Sequence, residues 1–139
     1  MVMSDMPTDV RAHDERLIAE FRANGRRLGD RPLLLLNTTG ARTGRPRTTP
    51  MMYVLVNERL LVIASNAGAP RHPDWFRNLV MDPHVTVEHD GEVFDAIAVV
   101  ATGAERDRLF GEVTRRYPFF ADHQAGVNRQ IPVVALHRV

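Results

Sequence analysis

The chain has 139 residues, 44% of them apolar and 25% charged, which suits one soluble domain with a real core. A net charge of +1 argues against a general nucleic-acid binder. The absence of cysteine excludes disulfides, thiolate metal sites and a cysteine nucleophile. All 18 basic residues are arginine, so Schiff-base chemistry is excluded and planar guanidinium forks are the permanent cations.

No apolar run approaches the roughly 18 residues of a spanning helix. The acidic opening MVMSDMPTDV lacks the apolar segment of a secretory signal, so a cytoplasmic location is expected. Residues 9–28 carry Val10, Leu17, Phe21 and Leu28 along one side, with Ile18 beside them, and predict an amphipathic helix. Asp9 is its expected N-cap, and Gly25 or Gly29 its stop. Residues 1–30 are assigned to this N-terminal helix and 31–139 to the main domain. The helix is expected to dock on the core or to lie over a ligand mouth. Weak contact with a membrane surface, and so a position peripheral to the plasma membrane, is a further expectation.

Strand signals follow at 32–38, 47–56 and 59–65, the last two forming a hairpin around Asn57-Glu58. Pro50 inside the second run requires an edge or a bulge, since proline cannot donate to a ladder. Residues 72–83 read as a short helix with Pro73 in its first turn. The runs either side of Asp90-Gly91 form the strongest hairpin signal in the chain. A second amphipathic helix is expected over 103–117, another helical segment after Pro118, and a final strand over 131–139. Short strands joined mostly as hairpins, with helices at the ends and crossings, indicate an α+β chain around an antiparallel sheet, closed or split as a small barrel.

Two stretches carry chemistry. TTGARTGRPRTTP (38–50) follows four leucines and combines bendable backbone at Gly40 and Gly44 with the forks of Arg42, Arg45 and Arg47 and several threonine hydroxyls. Such a loop suits a phosphate or carboxylate, because charge-assisted bonds are about twice as strong as neutral ones; a solvated basic hairpin is the competing reading. ASNAGAPRHPDWFRNL (64–79) runs from a strand end through small residues into a helix bearing Trp75 and Asn78, and makes a flat slot with polar edges. Together they describe a site for a flavin-like cofactor. Trp75 could equally be core, and Met51-Met52 plain strand packing. The six histidines show no ligand spacing, so no metal is expected.

LLLLNTTGARTGRPRTTPM, followed by VIASNAGAPRHPDWFRNLVMDPHVTVE, TGAERDRLFGEVTRRYPFFADHQ and RQIPVVAL, resembles the deazaflavin-dependent nitroreductase family of actinobacteria. The resemblance implies a split β-barrel of the flavin-reductase type with flanking helices, and coenzyme F420 as cofactor. It implies hydride transfer from the reduced 8-hydroxy-5-deazaflavin to a small-molecule acceptor: a quinone, nitroaromatic or activated enone. By the same resemblance Arg42, Thr43, Gly44, Arg45 and Arg47 would hold the anionic tail, with Thr43 and Gly44 adding backbone donors. Pro50, Met51, Ala64, Ser65, Asn66, Ala67 and Gly68 would flank the ring and its chain, and Trp75 and Asn78 would cover it. Tyr117, Phe120 and His123 would line the acceptor side, with Ser65, Tyr117 or His123 supplying a proton. Where the family has Ser-Lys-Gly-Gly, this chain has Ser65-Asn66-Ala67-Gly68, which removes a cation. A carrier of F420 or another amphipathic ligand without turnover, or a split-barrel enzyme using flavin mononucleotide, are the alternatives. Monomer and homodimer are both compatible with the sequence.

Overall fold

The computed structural model describes residues 6–139, with side chains from residue 11 onward. Helix α1 (Met6–Ala23) leads into β1 (Leu33–Thr39), β2 (Pro46–Met52), β3 (Val54–Val56) and β4 (Arg59–Ile63). Then come α2 (Asp74–Met81), the hairpin of β5 (His84–His89) and β6 (Glu92–Val100), α3 (Gly103–Arg116), α4 (Phe119–Ala125) and β7 (Val133–Arg138). The strands form one antiparallel sheet in the order β2-β1-β5-β6-β7-β4-β3. Its two edges, β2 and β3, are separated along the chain by Tyr53 alone. The sheet therefore curls until its edges meet, and the α+β split barrel follows from that connection.

The single strand expected over 47–56 is thus two strands with a corner at Tyr53, whose N–H donates to Pro32 O at 3.0 Å. Pro50 lies in the edge strand β2, opposite Leu35, where no second neighbour asks for its missing donor. Both expected hairpins form. Asn57 and Glu58 adopt φ of +50° and +67°, and Asp90 and Gly91 +46° and +85°, the paired left-handed angles that match the twist of two-residue turns.

Alternation along the strands sorts the core into two layers. Leu34, Leu36, Val62, Val87 and Leu136 fill the barrel with Trp75 and Leu79 from α2. Leu61, Ile63, Val133 and Ala135 face the other way and are covered by Leu109, Phe110 and Val113 of α3 and Phe120 of α4. Strands β4 and β7 are apolar on both faces because helices cover the side that a lone sheet would leave wet.

Helix α1 starts by Met6, so Asp9 lies inside it rather than at its cap, and Val10 falls outside the described side chains. It ends at Ala23, five residues short of the expected 28, so Leu28 lies beyond it. Of the two expected stops Gly25 is the one used, left-handed (φ +72°), with Arg26 N–H closing back on Phe21 O at 2.8 Å. Leu17 and Phe21 are buried, which turns the apolar stripe toward the barrel. No described helix is long and apolar enough to cross a membrane.

A charged clasp fixes the helix. Glu88 on β5 is 4% exposed and receives Arg22 Nε at 2.9 Å and its second nitrogen at 2.6 Å, Arg26 Nε at 3.2 Å and Asn37 Nδ2 at 2.9 Å. The hydrogen bond from Arg22, opposed by burial and helped by Asn37, pulls the Glu88 carboxyl down to about 2 from 4.5. A depressed carboxyl stabilises the fold above its unfolded value, and that contribution is lost as pH falls through the folded one. Glu88→Gln is expected to cost about 2 kcal/mol at pH 7. In urea denaturation across pH, the gap from wild type should narrow below 4.5 and close near 2; a gap independent of pH would count against the clasp.

Candidate functional site

A cleft of about 1360 Å³ opens at one rim of the barrel, between α1, the arginine loop and the segment leading into α2. Arg11 projects into it from α1, Arg42 and Arg47 from the loop and the start of β2, and Arg71 and Arg77 from the opposite wall, against Asp14, Glu15 and Asp74. None of these five guanidiniums has an ion-pair partner among the described residues. Cations gathered in a concave, partly desolvated wall focus a field that draws an anion.

The loop is held in shape by its own backbone. Gly40 N–H donates to Arg45 O and Gly44 N–H to Gly40 O, both at 2.8 Å. Arg45 N–H donates to Thr43 Oγ1 at 3.2 Å. A Cβ on Gly40 would meet Thr43 Oγ1 at 2.9 Å and Arg45 O at 3.2 Å, so only glycine permits the turn. The Gly44 amide is thereby occupied within the loop, whereas the amides of Arg42 and Thr43 have no hydrogen-bond partner among the described residues. Arg45 is exposed and does not line the cleft, although it belongs to the same short run as Arg42 and Arg47.

Asn78 ties this loop to α2. Buried to 7% exposure, it donates through Nδ2 to Thr38 Oγ1 at 3.1 Å and accepts Ala41 N–H at 2.9 Å. Trp75, one turn earlier, is 9% exposed; it belongs to the barrel core and also presents an edge to the cleft. Its core packing and its place in the cleft lining go together.

The opposite wall has an organiser that sequence reasoning missed. Arg129, in the chain between α4 and β7, donates to Ala64 O at 3.1 Å and Ser65 O at 2.8 Å. It also reaches Ala69 O from two nitrogens at 3.2 and 3.1 Å. Desolvation lowers its pKa from the ordinary arginine value, yet carbonyls rather than a carboxylate surround it. Nothing in its sequence neighbourhood marks this role, because every partner lies about 60 residues away.

Between those carbonyls, Asn66, Ala67 and Gly68 are consecutively left-handed, at φ +52°, +54° and +80°. Gly68 lies against His123, whose Cδ2 would be 3.4 Å from an added Cβ. His123 Nδ1 is buried without a hydrogen-bond partner among the described residues. Asn66 and Ala69 line the cleft, whereas Ala64 and Ser65 are buried beneath it and Met51 packs on the barrel core. Tyr117, Phe120 and His123 gather at α4, outside the cleft lining; Phe120 is 5% exposed and points into the outer core layer.

The description "F420H(2)-dependent quinone reductase" belongs to the family model that matches residues 9–138. An F420H(2)-dependent quinone reductase of Mycobacterium tuberculosis is 35% identical over 137 residues, spanning 93% of this chain and 89% of that protein. A solved F420-H2 dependent reductase superposes with a TM-score of 0.70 at 35% identity, covering 80% of this chain and 98% of its own. A solved structure described as a domain-swapped dimer gives 0.72 at 35% identity over 94% of this chain and 99% of its own. HutZ, a heme storage protein of Vibrio cholerae, shares the fold alone, with a TM-score of 0.59 at 23% identity.

Two substitutions test how this wall is built. Ala67→Gly is expected to raise stability by about 1 kcal/mol, read as a higher Tm, because a left-handed alanine bears a Cβ penalty that glycine lacks. Asn78→Ala is expected to cost about 1–3 kcal/mol, since it strands the Thr38 hydroxyl and the Ala41 amide. Chemical denaturation of each variant beside wild type checks both signs.

Proposed function

The chain belongs to the F420H(2)-dependent quinone reductase family, and we propose that the arginine-lined cleft is where it holds the cofactor's anionic tail. The activity is that of an F420H(2)-dependent oxidoreductase. The single observation that supports this placement is the convergence on one large cleft of five guanidiniums and two amides that have no partner among the described residues. The residues fit the group: planar forks and bare N–H donors suit phosphate and carboxylates, and the small residues of the 66–70 segment leave room for a flat ring beside the edge of Trp75.

When bound, the reduced deazaflavin supplies a hydride. The chain's own residues bind, orient and exclude water. Arg42 and Arg47, with the amides of Arg42 and Thr43, grip the tail from one side, and Arg71 and Arg77 from the other. The α1 side chains Arg11, Asp14, Glu15 and Ile18 form a third wall that limits access of water. Arg129 and Asn78 keep the two loops at a constant separation, so the cofactor meets a site already shaped for it. The acceptor, a quinone by likeness to the named relatives, is assigned to the end of the cleft near Asn66–Ala69. There His123 packs on Gly68 from outside the lining and supports the segment, while Ser65 and Tyr117 also stand off the cleft surface, so none of the three side chains is assigned the acceptor's proton. The relative solved as a domain-swapped dimer favours the homodimer among the two oligomeric expectations.

Fluorescence titration with oxidised F420 tests the placement. Wild type should bind, and the double change Arg42→Ala with Arg47→Ala should weaken binding on the order of a hundredfold, the loss of two charge-assisted contacts. Arg45→Ala, which leaves the cleft lining intact, should stay within about threefold of wild type. Equal losses from Arg45→Ala and from the pair would overturn the assignment. Oxidation of F420H(2) by menadione, followed in the same proteins, tests the quinone as acceptor.

A further inference from the structure

His72 lines the cleft immediately before α2, with its ring 4.8 Å from that of Phe76. Its Nδ1 lies 3.0 Å from a terminal nitrogen of Arg129. Arginine has only donors to offer, so the imidazole nitrogen facing it must be the acceptor. The ring is then neutral, with its proton on Nε2, an atom that has no protein partner among the described residues and is not buried. The same Arg129 nitrogen that meets His72 also holds Ala64 O, and the rest of the guanidinium holds Ser65 O and Ala69 O.

We infer that His72 is a positioning residue for the cofactor site: its bare Nδ1 completes the seat of Arg129, which fixes the 64–69 wall, and its Nε2–H is turned to the cleft as a neutral donor. The inference rests on the cleft being the cofactor site. It assigns a role to a residue outside both the arginine loop and the α4 cluster.

Protonation of His72 would place two cations at hydrogen-bond distance and release Arg129 from its fourth acceptor. The charged groups that bear on the ring are Arg129 from the chain after α4 and Arg77 from α2, with Arg71 and Asp74 beside it. Arg11, Asp14 and Glu15 stand across the cleft on α1. Burial, then Arg129, then Arg77, hold the His72 pKa below the ordinary 6.5. A group whose folded pKa is depressed in this way favours the neutral form, so order in the wall is complete above 6.5 and is lost as pH falls through the folded value.

The test compares wild type with His72→Asn, whose side-chain oxygen can still accept from Arg129 but which cannot titrate. F420 binding is measured by fluorescence between pH 7.5 and pH 5. Titration of the ligand itself is common to both proteins and cancels in the ratio of their dissociation constants. Wild type is expected to lose roughly tenfold more affinity than His72→Asn over that range. His72→Ala, which removes the acceptor as well, is expected to bind more weakly than His72→Asn already at pH 7.5. In the absence of cofactor, the side-chain nitrogens of 15N-labelled protein at pH 7.5 should show His72 with a bare Nδ1 and a protonated Nε2, assigned by their disappearance in His72→Asn. Identical pH profiles in the two proteins, or an Nδ1–H tautomer or imidazolium at pH 7.5, would overturn the inference alone. Failure of wild type to bind F420 at pH 7.5 would instead overturn the cleft assignment on which it rests.

Discussion

Closure of the sheet at Tyr53 is the constraint from which the rest of the architecture follows. An antiparallel sheet of seven strands could lie open with two bare edges. Here the first and last strands in spatial order are consecutive in sequence, with one residue between them, and the sheet has to bend until they meet. That bend leaves the β1–β2 loop and the segment after β4 on one rim. The cleft between them exists because the barrel closes, and α1 and α2 become its remaining walls.

Closure by itself would leave two loops facing each other with nothing to hold their distance. Side chains do that work, and each is a buried or half-buried polar group among acceptors or donors from distant parts of the chain. Asn78 joins α2 to the arginine loop, Arg129 gathers the carbonyls of the 64–69 segment, and Glu88 draws α1 onto β5. Such groups are costly to bury unless every bond is made, so they tolerate few alternative arrangements. At the proposed cofactor site such rigidity would serve binding, because a ligand entering a site already in place does not have to order it. The run of left-handed residues at Asn66–Gly68 is the converse feature. It stores strain at the edge of the same cleft, where bent backbone brings Gly68 against His123.

The charge distribution divides in the same way. The net charge is only +1, yet five arginines with no ion-pair partner among the described residues converge on one cleft, while others are neutralised elsewhere, as Arg22 and Arg26 are by Glu88. Binding of an anion therefore depends on where the cations stand, and a global charge count carries little of that information.

Much was legible from residue order alone. Local chemistry dictated the two hairpin turns at Asn57-Glu58 and Asp90-Gly91, the stop at Gly25 and the edge position of Pro50. The ordered blocks from Leu33 to Leu136 carried the family likeness and, through it, the cofactor and the barrel. These features depend on dihedral preferences and on neighbours a few residues apart, which a sequence records directly. The facing of side chains was decided only by the tertiary structure. It separated Arg42 and Arg47 from Arg45, turned Phe120 into the outer core, and brought Arg129 and His72 together across 57 residues. Contacts of that kind arise when the barrel closes and the loops dock, and no local preference of the chain encodes which distant carbonyl a guanidinium will meet.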